Sequence, residues 1–290
     1  MVTTVEPAHL GFFPSVEAIA DAKAEIFLGL EPGGSAVLNR DNSHYARLAA
    51  AAQRAGAAEI LGFGAHPEAA VRLNDCVLDS RGSTVEAAIR GRLLRFRMPV
   101  PGRHWVMNAL AVLAAVQAAG GGVDRAAEAL AEFKAMPGRG RRHELSWRDG
   151  ILTVIDESYN ASPAAMRAAL AVLAAIEPGD GGRRVAVLGD MLELGEASER
   201  LHGELAESLA GGVDRVFLIG EAMAALDEAL PEAKRGGLWR SAEGAMPTLL
   251  RFLEPGDVVT VKGSRGVGLG RVIELLCAQS SRRAVCRAET

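Results

Sequence analysis

Along the second half of the chain, short apolar runs alternate with longer amphipathic stretches, which predicts strands alternating with helices. Runs at 144–147, 151–155, 185–188, 215–219 and 258–261 read as strands. Stretches at 163–176, 199–209, 221–230, 242–253 and 267–278 read as helices. Apart from an opening hairpin, that order predicts a parallel sheet with crossover helices. Such sheets bind ligands outside the carboxyl ends of their strands. Those ends carry Asp156-Glu157, Gly189-Asp190, Gly220-Glu221 and Lys262-Gly263-Ser264-Arg265.

The first half has a different rhythm. Residues 2–5 read as the tail of a strand, from which we expect a segment upstream of Met1. Ser15 is placed to cap a helix over 16–30, and Gly33-Gly34 ends it ahead of a strand at 36–38. A helix at 44–55 leads to a strand near 59–62. From 70 to 98 short runs broken at Asp79-Ser80-Arg81-Gly82 and Gly91-Arg92 suit antiparallel hairpins, an insert in a βα frame. Helices at 103–119 and 124–133 follow, and Met136-Pro137-Gly138-Arg139-Gly140 is the strongest break in the chain. The expected fold class is α/β in two domains, 1–136 and 137–290.

Composition supports two globular cores: 290 residues, 49% hydrophobic and 23% charged. A net charge of −4, from 32 basic and 36 acidic residues, leaves no overall positive field to attract nucleic acid. The cluster Arg139, Arg141 and Arg142 reads as a solvated loop. Cys76, Cys277 and Cys286 are odd in number and far apart, which fits neither a disulfide framework nor a zinc site and points to a reducing compartment. Apolar runs such as 109–119 fall short of the ~18 residues that suggest a membrane span. No secretory signal opens the chain, so a cytoplasmic protein without membrane insertion or nucleic-acid partner is expected.

Lys23 is the most informative single residue. Positions 16, 19, 20, 23, 26, 27 and 30 form one helical stripe, apolar except for this lysine. Either its ammonium snorkels to solvent or it is functional: paired, deprotonated or chemically altered. His9 lies in the loop before the helix, at a strand's carboxyl end. Were Lys23 carbamoylated, its carboxylate and the His9 imidazole would suit a hard divalent cation carrying phosphate oxygens.

Other candidates lie at strand ends and helix starts. No Gly-x-x-x-x-Gly-Lys-Ser/Thr occurs in the 290 residues. The nearest imitation runs from Lys262 to Gly270 with the lysine ahead of the glycines, so it reads as a turn into the last helix, with Lys262 and Arg265 placed for an anion. In Asp156-Glu157-Ser158-Tyr159-Asn160-Ala161-Ser162-Pro163, Ser162 and Pro163 start a helix, and the two acids are expected to be free for a ligand or metal. Asp190 has the same placement. Asn108 opens an otherwise apolar helix, either as a cap or interhelical contact or to read a base edge.

Together these segments resemble the Mur ligase family of cell-wall synthesis. The resemblance rests on Ala8-His9-Leu10-Gly11-Phe12 with Ala22-Lys23-Ala24-Glu25-Ile26-Phe27, on Val37-Leu38-Asn39-Arg40-Asp41-Asn42, and on Pro101-Gly102-Arg103-His104 with Asn108-Ala109-Leu110. It continues through Pro137-Gly138-Arg139, Ser158-Tyr159-Asn160-Ala161, the run from Val187 to Gly195, and Val261-Lys262-Gly263-Ser264-Arg265. Singly these are weak signals; seven in the family's order are specific. Ser158-Tyr159-Asn160 and Gly189-Asp190-Met191 look like the branch that adds D-alanyl-D-alanine.

The resemblance implies a partial central ATPase domain, a mixed sheet with helices, over 1–136 and a Rossmann-like C-terminal domain over 137–290. It implies a monomer using ATP and Mg²⁺ to join a UDP-muramoyl tripeptide to D-alanyl-D-alanine through an acyl phosphate. His9 and Lys23, the latter as carbamoyl-lysine, match the family's catalytic metal ligands. Asn108, Arg139, Asp156 and Glu157 fall at nucleotide contacts. Tyr159, Asn160, Asp190, Lys262, Ser264 and Arg265 fall around the amine substrate. Trp105, Glu157 and Ser162 depart from the asparagine, aspartate and asparagine common at those places. The family's UDP-binding domain and phosphate loop would precede Met1, so an N-terminally truncated ligase is expected, with an inactive remnant or binding module of the same fold as the rival. A nicotinamide oxidoreductase is disfavoured, because no Gly-x-Gly-x-x-Gly follows a first strand.

Overall fold

The structure, a computed structural model, describes the backbone through residue 288 and side chains through residue 280, so the thiol of Cys286 lies outside the described part. The chain divides into two compact units, Met1–Lys134 and the remainder from Ala135.

The first unit is built on a five-stranded sheet in sequential order: β1 (Ser35–Asn39), β2 (Glu59–Gly64), β3 (Val71–Asp79), β4 (Gly82–Ile89) and β5 (Arg92–Met98). β1, β2 and β3 pair in parallel, and the two hairpins that follow are antiparallel, as their alternating pattern requires. In β5, Leu94, Phe96 and Met98 point inward while Arg95 and Arg97 pair outside with Glu86 and Asp79. Val2 forms a parallel bridge to Leu38, the strand tail expected from the sequence. Four helices cover the sheet: α1 (Val16–Ala24), α2 (Tyr45–Arg54), α3 (Arg103–Ala118) and α4 (Val123–Leu130). Ser15 caps α1, its hydroxyl accepting from the Ala18 N–H at 3.2 Å.

The expected single helix over 16–30 does not form. After Ala24 the chain tightens into a 3-10 turn, Glu25–Gly29. Tightening from 3.6 to about 3.0 residues per turn rotates the later positions off the stripe. Phe27 stays buried, but Ile26 becomes 57% exposed and Lys23 is exposed as well. Lys23, in the last turn of α1 ahead of that tightening, lies at the open edge of the apolar face.

The second unit has six strands in the order β10-β9-β8-β11-β7-β6. These are β6 (Arg141–Trp147), β7 (Gly150–Glu157), β8 (Arg184–Gly189), β9 (Arg215–Ile219), β10 (Arg235–Trp239) and β11 (Val258–Lys262). β6 is antiparallel to β7 and the other pairings are parallel. The central strands are buried on both faces, so they read as continuous apolar runs. Crossover helices are α5 (Pro163–Ala175), α6 (Ser198–Gly203), α7 (Leu205–Leu209), α8 (Ala224–Ala229) and α9 (Ala242–Phe252), and α10 (Gly270–Ala288) follows the last strand. The helix expected over 199–209 is thus split in two. β10 was not expected: Arg235-Gly236-Gly237 lacks strand-forming side chains. Gly236 is needed there because a Cβ would stand 2.8 Å from the Val216 carbonyl of β9.

Candidate active site

β7 and β11 are parallel neighbours in register, Lys262 beside Glu157, so their carboxyl ends bring two of the sequence candidates together. The Glu157 carboxylate lies 3.5 Å from Lys262 Nζ, and both side chains are almost wholly out of water. Nζ also donates to the Asn160 carbonyl at 2.9 Å. Burial pushes the Glu157 carboxyl up, with Lys262 opposing; burial likewise pushes the Lys262 ammonium down, with Glu157 opposing. A carboxylate and an ammonium held this way are a proton acceptor and donor at the floor of a strand-end rim.

Above the floor stands Tyr159, 43% exposed. The Arg139 guanidinium lies 4.3 Å from its ring centroid and that of Arg265 lies 5.9 Å away. Among the described residues neither guanidinium has a hydrogen bond or ion pair, so both are available to an anion. Gly138 is required beside Tyr159: its φ is +75°, and a Cβ would meet the Tyr159 Cβ at 2.8 Å.

Three candidates turn out to be occupied by folding. Asp156 is buried; its Oδ2 accepts from the Gly138 N–H at 2.7 Å and its Oδ1 from the Ser158 hydroxyl at 2.6 Å and the Ser158 N–H at 3.1 Å. The expectation that neither strand-end acid is needed for folding therefore fails for Asp156, while Glu157 is held in its pair with Lys262. Asp190 Oδ1 accepts from the Met223 N–H at 3.0 Å, tying the end of β8 to the start of α8. Ser264 donates its N–H to the Asp190 carbonyl and accepts from the Leu192 N–H on its hydroxyl, both at 2.9 Å. A backbone amide seeks an acceptor wherever burial removes water, and a strand-end loop crowded against its neighbours gives it side chains.

His202 carried no recognisable signal in the sequence. It is fully buried, its Nε2 accepting from the Met191 N–H at 2.9 Å and its Nδ1 facing the Ser198 carbonyl at 2.7 Å. Those partners place the ring hydrogen on Nδ1.

The first-unit candidates are less assembled. His9 is exposed with φ +59° in the loop before α1, and Lys23 is exposed at the end of α1. Burial therefore does not compel Lys23 to be carbamoylated. Among the described residues no group of three or more His, Cys, Asp or Glu side chains is arranged to hold a metal ion. Asn108 is exposed in the second turn of α3; Gly102 occupies the N-cap, so Asn108 is not the cap.

Comparison with known proteins identifies the family and the fold. Residues 1–116 match the Mur ligase middle domain and residues 140–265 the Mur ligase glutamate ligase domain. The chain belongs to the Mur ligase family. It is 33% identical over 283 residues to the UDP-N-acetylmuramoyl-tripeptide–D-alanyl-D-alanine ligase of Escherichia coli, covering 95% of this chain and 59% of that relative. It is 35% identical over 306 residues to the enzyme of the same name from Mycobacterium tuberculosis, covering 97% and 58%. A MurF ligase from Thermotoga maritima, solved in complex with ADP, superposes with a TM-score of 0.79 at 28% identity over 96% of this chain and 61% of that one. This Mur ligase chain thus spans about three fifths of the length of the curated relatives it matches. No helix among its described residues is long and apolar enough to cross a membrane.

Proposed function

We propose that this chain is part of an ATP-dependent ligase that joins a UDP-muramoyl tripeptide to D-alanyl-D-alanine in cell-wall precursor synthesis. In that reaction the γ-phosphoryl group of ATP passes to the peptide carboxylate. The dipeptide amine then displaces phosphate from the acyl phosphate, releasing ADP, inorganic phosphate and a proton. The observation that carries the reading is the rim of the second unit, where unpaired Arg139 and Arg265 flank Tyr159 beside the buried Glu157–Lys262 pair. Such an arrangement orients anionic groups and an amine at a fixed place, which is most of what this chemistry asks of a protein.

In this reading Arg139, Glu157 and Asn108 face the nucleotide, while Tyr159, Asn160, Lys262 and Arg265 face the dipeptide. Asp156, Asp190 and Ser264 hold the loops that carry them. The resemblance also implies Mg²⁺. Of the two residues it points to, His9 offers an imidazole but Lys23 an ammonium, which repels a cation; unmodified, the pair does not fit the ion, and the reading does not depend on it. A cytoplasmic location follows from the same reading, since its nucleotide-linked substrates are cytoplasmic.

The rival reading is a binding module of the same fold without ATP chemistry, for which the rim of the second unit alone would suffice. Calorimetric titration of the full chain with D-alanyl-D-alanine, together with phosphate release from ATP, tests both. Dipeptide binding lost in Arg265→Met supports the site. A folded chain that ignores the dipeptide would sink it. ATP-dependent ligation by the 290-residue chain alone would overturn the binding-module reading.

A further inference from the structure

The loop after β8 is held at each of its first three residues. The Asp190 N–H donates to the Ile219 carbonyl at 3.2 Å and its carbonyl accepts from the Ser264 N–H; the Met191 N–H donates to buried His202; the Leu192 N–H donates to buried Ser264. Next comes Glu193 at φ +66°, a left-handed conformation unfavourable for a side-chain-bearing residue. Three anchors and one strained residue are a large investment for a surface loop. What the loop presents is Leu192, 45% exposed.

Leu192 does not project at random. Its Cδ1 lies so close over Gly266 that a Cβ there would stand 2.8 Å away, so the leucine rests on the turn that presents Arg265. Arg265 in turn faces Tyr159. The anchored loop therefore sets a single apolar surface next to an unpaired guanidinium, on a rim otherwise polar at Glu157, Asn160 and Lys262.

We infer that Leu192 is a specificity-determining residue for the amine substrate: Arg265 takes the dipeptide's carboxylate and Leu192 packs against its side-chain methyl groups. This rests on the reading that the second unit receives D-alanyl-D-alanine. Asp190, Ser264 and His202 are positioning residues, acting through the backbone of the loop. A glycine dipeptide offers the same carboxylate and amine without the methyl groups, so Leu192 separates the two ligands.

The test is a chemical-shift titration of the full, isotope-labelled chain with D-alanyl-D-alanine and with glycylglycine. The unaltered chain should prefer the alanine dipeptide by about 10-fold, the low end of what a methyl contact contributes to discrimination. Leu192→Ala, a change at an exposed position, should reduce that preference to about 2-fold or less while leaving glycylglycine affinity unchanged. Arg265→Met should weaken both dipeptides and keep their ratio. Retained preference in Leu192→Ala, or equal loss of both ligands, overturns the inference alone. Failure of the unaltered, folded chain to bind either dipeptide overturns the functional reading and this inference with it.

Discussion

Glu157 and Lys262 face each other at 3.5 Å across the ends of adjacent parallel strands, each paying for burial with a displaced proton affinity. Glu157 binds its proton more tightly in the folded state than an ordinary glutamate does, so its favourable contribution is present at low pH and is lost as pH rises through the raised value. Lys262 is displaced downward, so its favourable contribution is present at high pH and is lost as pH falls through the lowered value. Between those limits both charges are held out of water.

Removing one partner leaves the other charge buried alone. Lys262→Met is expected to destabilise the second unit by about 3–5 kcal/mol at neutral pH, and Glu157→Gln by less, because an amide still hydrogen-bonds. The double variant should be more stable than Lys262→Met alone. Urea midpoints at acid, neutral and alkaline pH check this: the double variant should also show a flatter pH profile than the unaltered chain. A double variant no better than Lys262→Met would show that the pair is not a coupled unit.

Asp156 supports the rim from beneath. Asp156→Ala strands the Gly138 N–H and the Ser158 groups and should lower stability by about 2–4 kcal/mol, given ~1–3 kcal/mol for each buried group left unpaired. Hydrogen exchange at the Gly138 amide should accelerate in the variant before global unfolding. Dipeptide affinity should fall as well, since Gly138 and Ser158 hold the loop of Tyr159 in place. An unchanged Gly138 exchange rate would remove Asp156 from this role.

The open face around Lys23 leads to a chemical prediction. With Ile26 and the lysine both in solvent, nothing in the packing forces the ammonium to be altered. Intact-mass analysis of the chain equilibrated in bicarbonate should therefore show Lys23 unmodified. A carbamate retained on Lys23 would contradict this and would supply a carboxylate that could serve as a cation ligand.

These residues also show how far the sequence carried. The parallel order of the second sheet, the Ser15 cap and the hairpins of the first unit were readable because apolar period and turn residues are local signals. The stripe placed Lys23 on the apolar side of α1, but the pattern along the chain does not show that this face is left open where the helix gives way to a 3-10 turn. β10 was missed because Gly236 fits against the Val216 carbonyl of β9, a reason that only the partner strand supplies. Asp156, Asp190 and Ser264 were rightly placed at strand ends, but the hydrogen bonds they make to residues distant in sequence leave no pattern along it. His202 was invisible for the same reason, and Leu192, inside the run from Val187 to Gly195, was not singled out.

The last prediction concerns the junction of β8 and β9. Gly220 has φ +122°, and a Cβ on it would stand 2.2 Å from the Asp190 carboxylate. Gly220→Ala thus combines an unfavourable backbone with a collision, and should destabilise by roughly 3 kcal/mol. Part of that is relieved if the carboxylate is removed, so Asp190→Ala with Gly220→Ala should be less destabilised than the sum of the single changes. The coupling, read from denaturation midpoints of all four chains, separates collision from backbone strain: strict additivity would mean that strain alone accounts for the glycine. Because Asp190 also begins the loop that presents Leu192, Gly220→Ala should narrow the preference for D-alanyl-D-alanine over glycylglycine, although Gly220 itself touches neither ligand in the proposed arrangement.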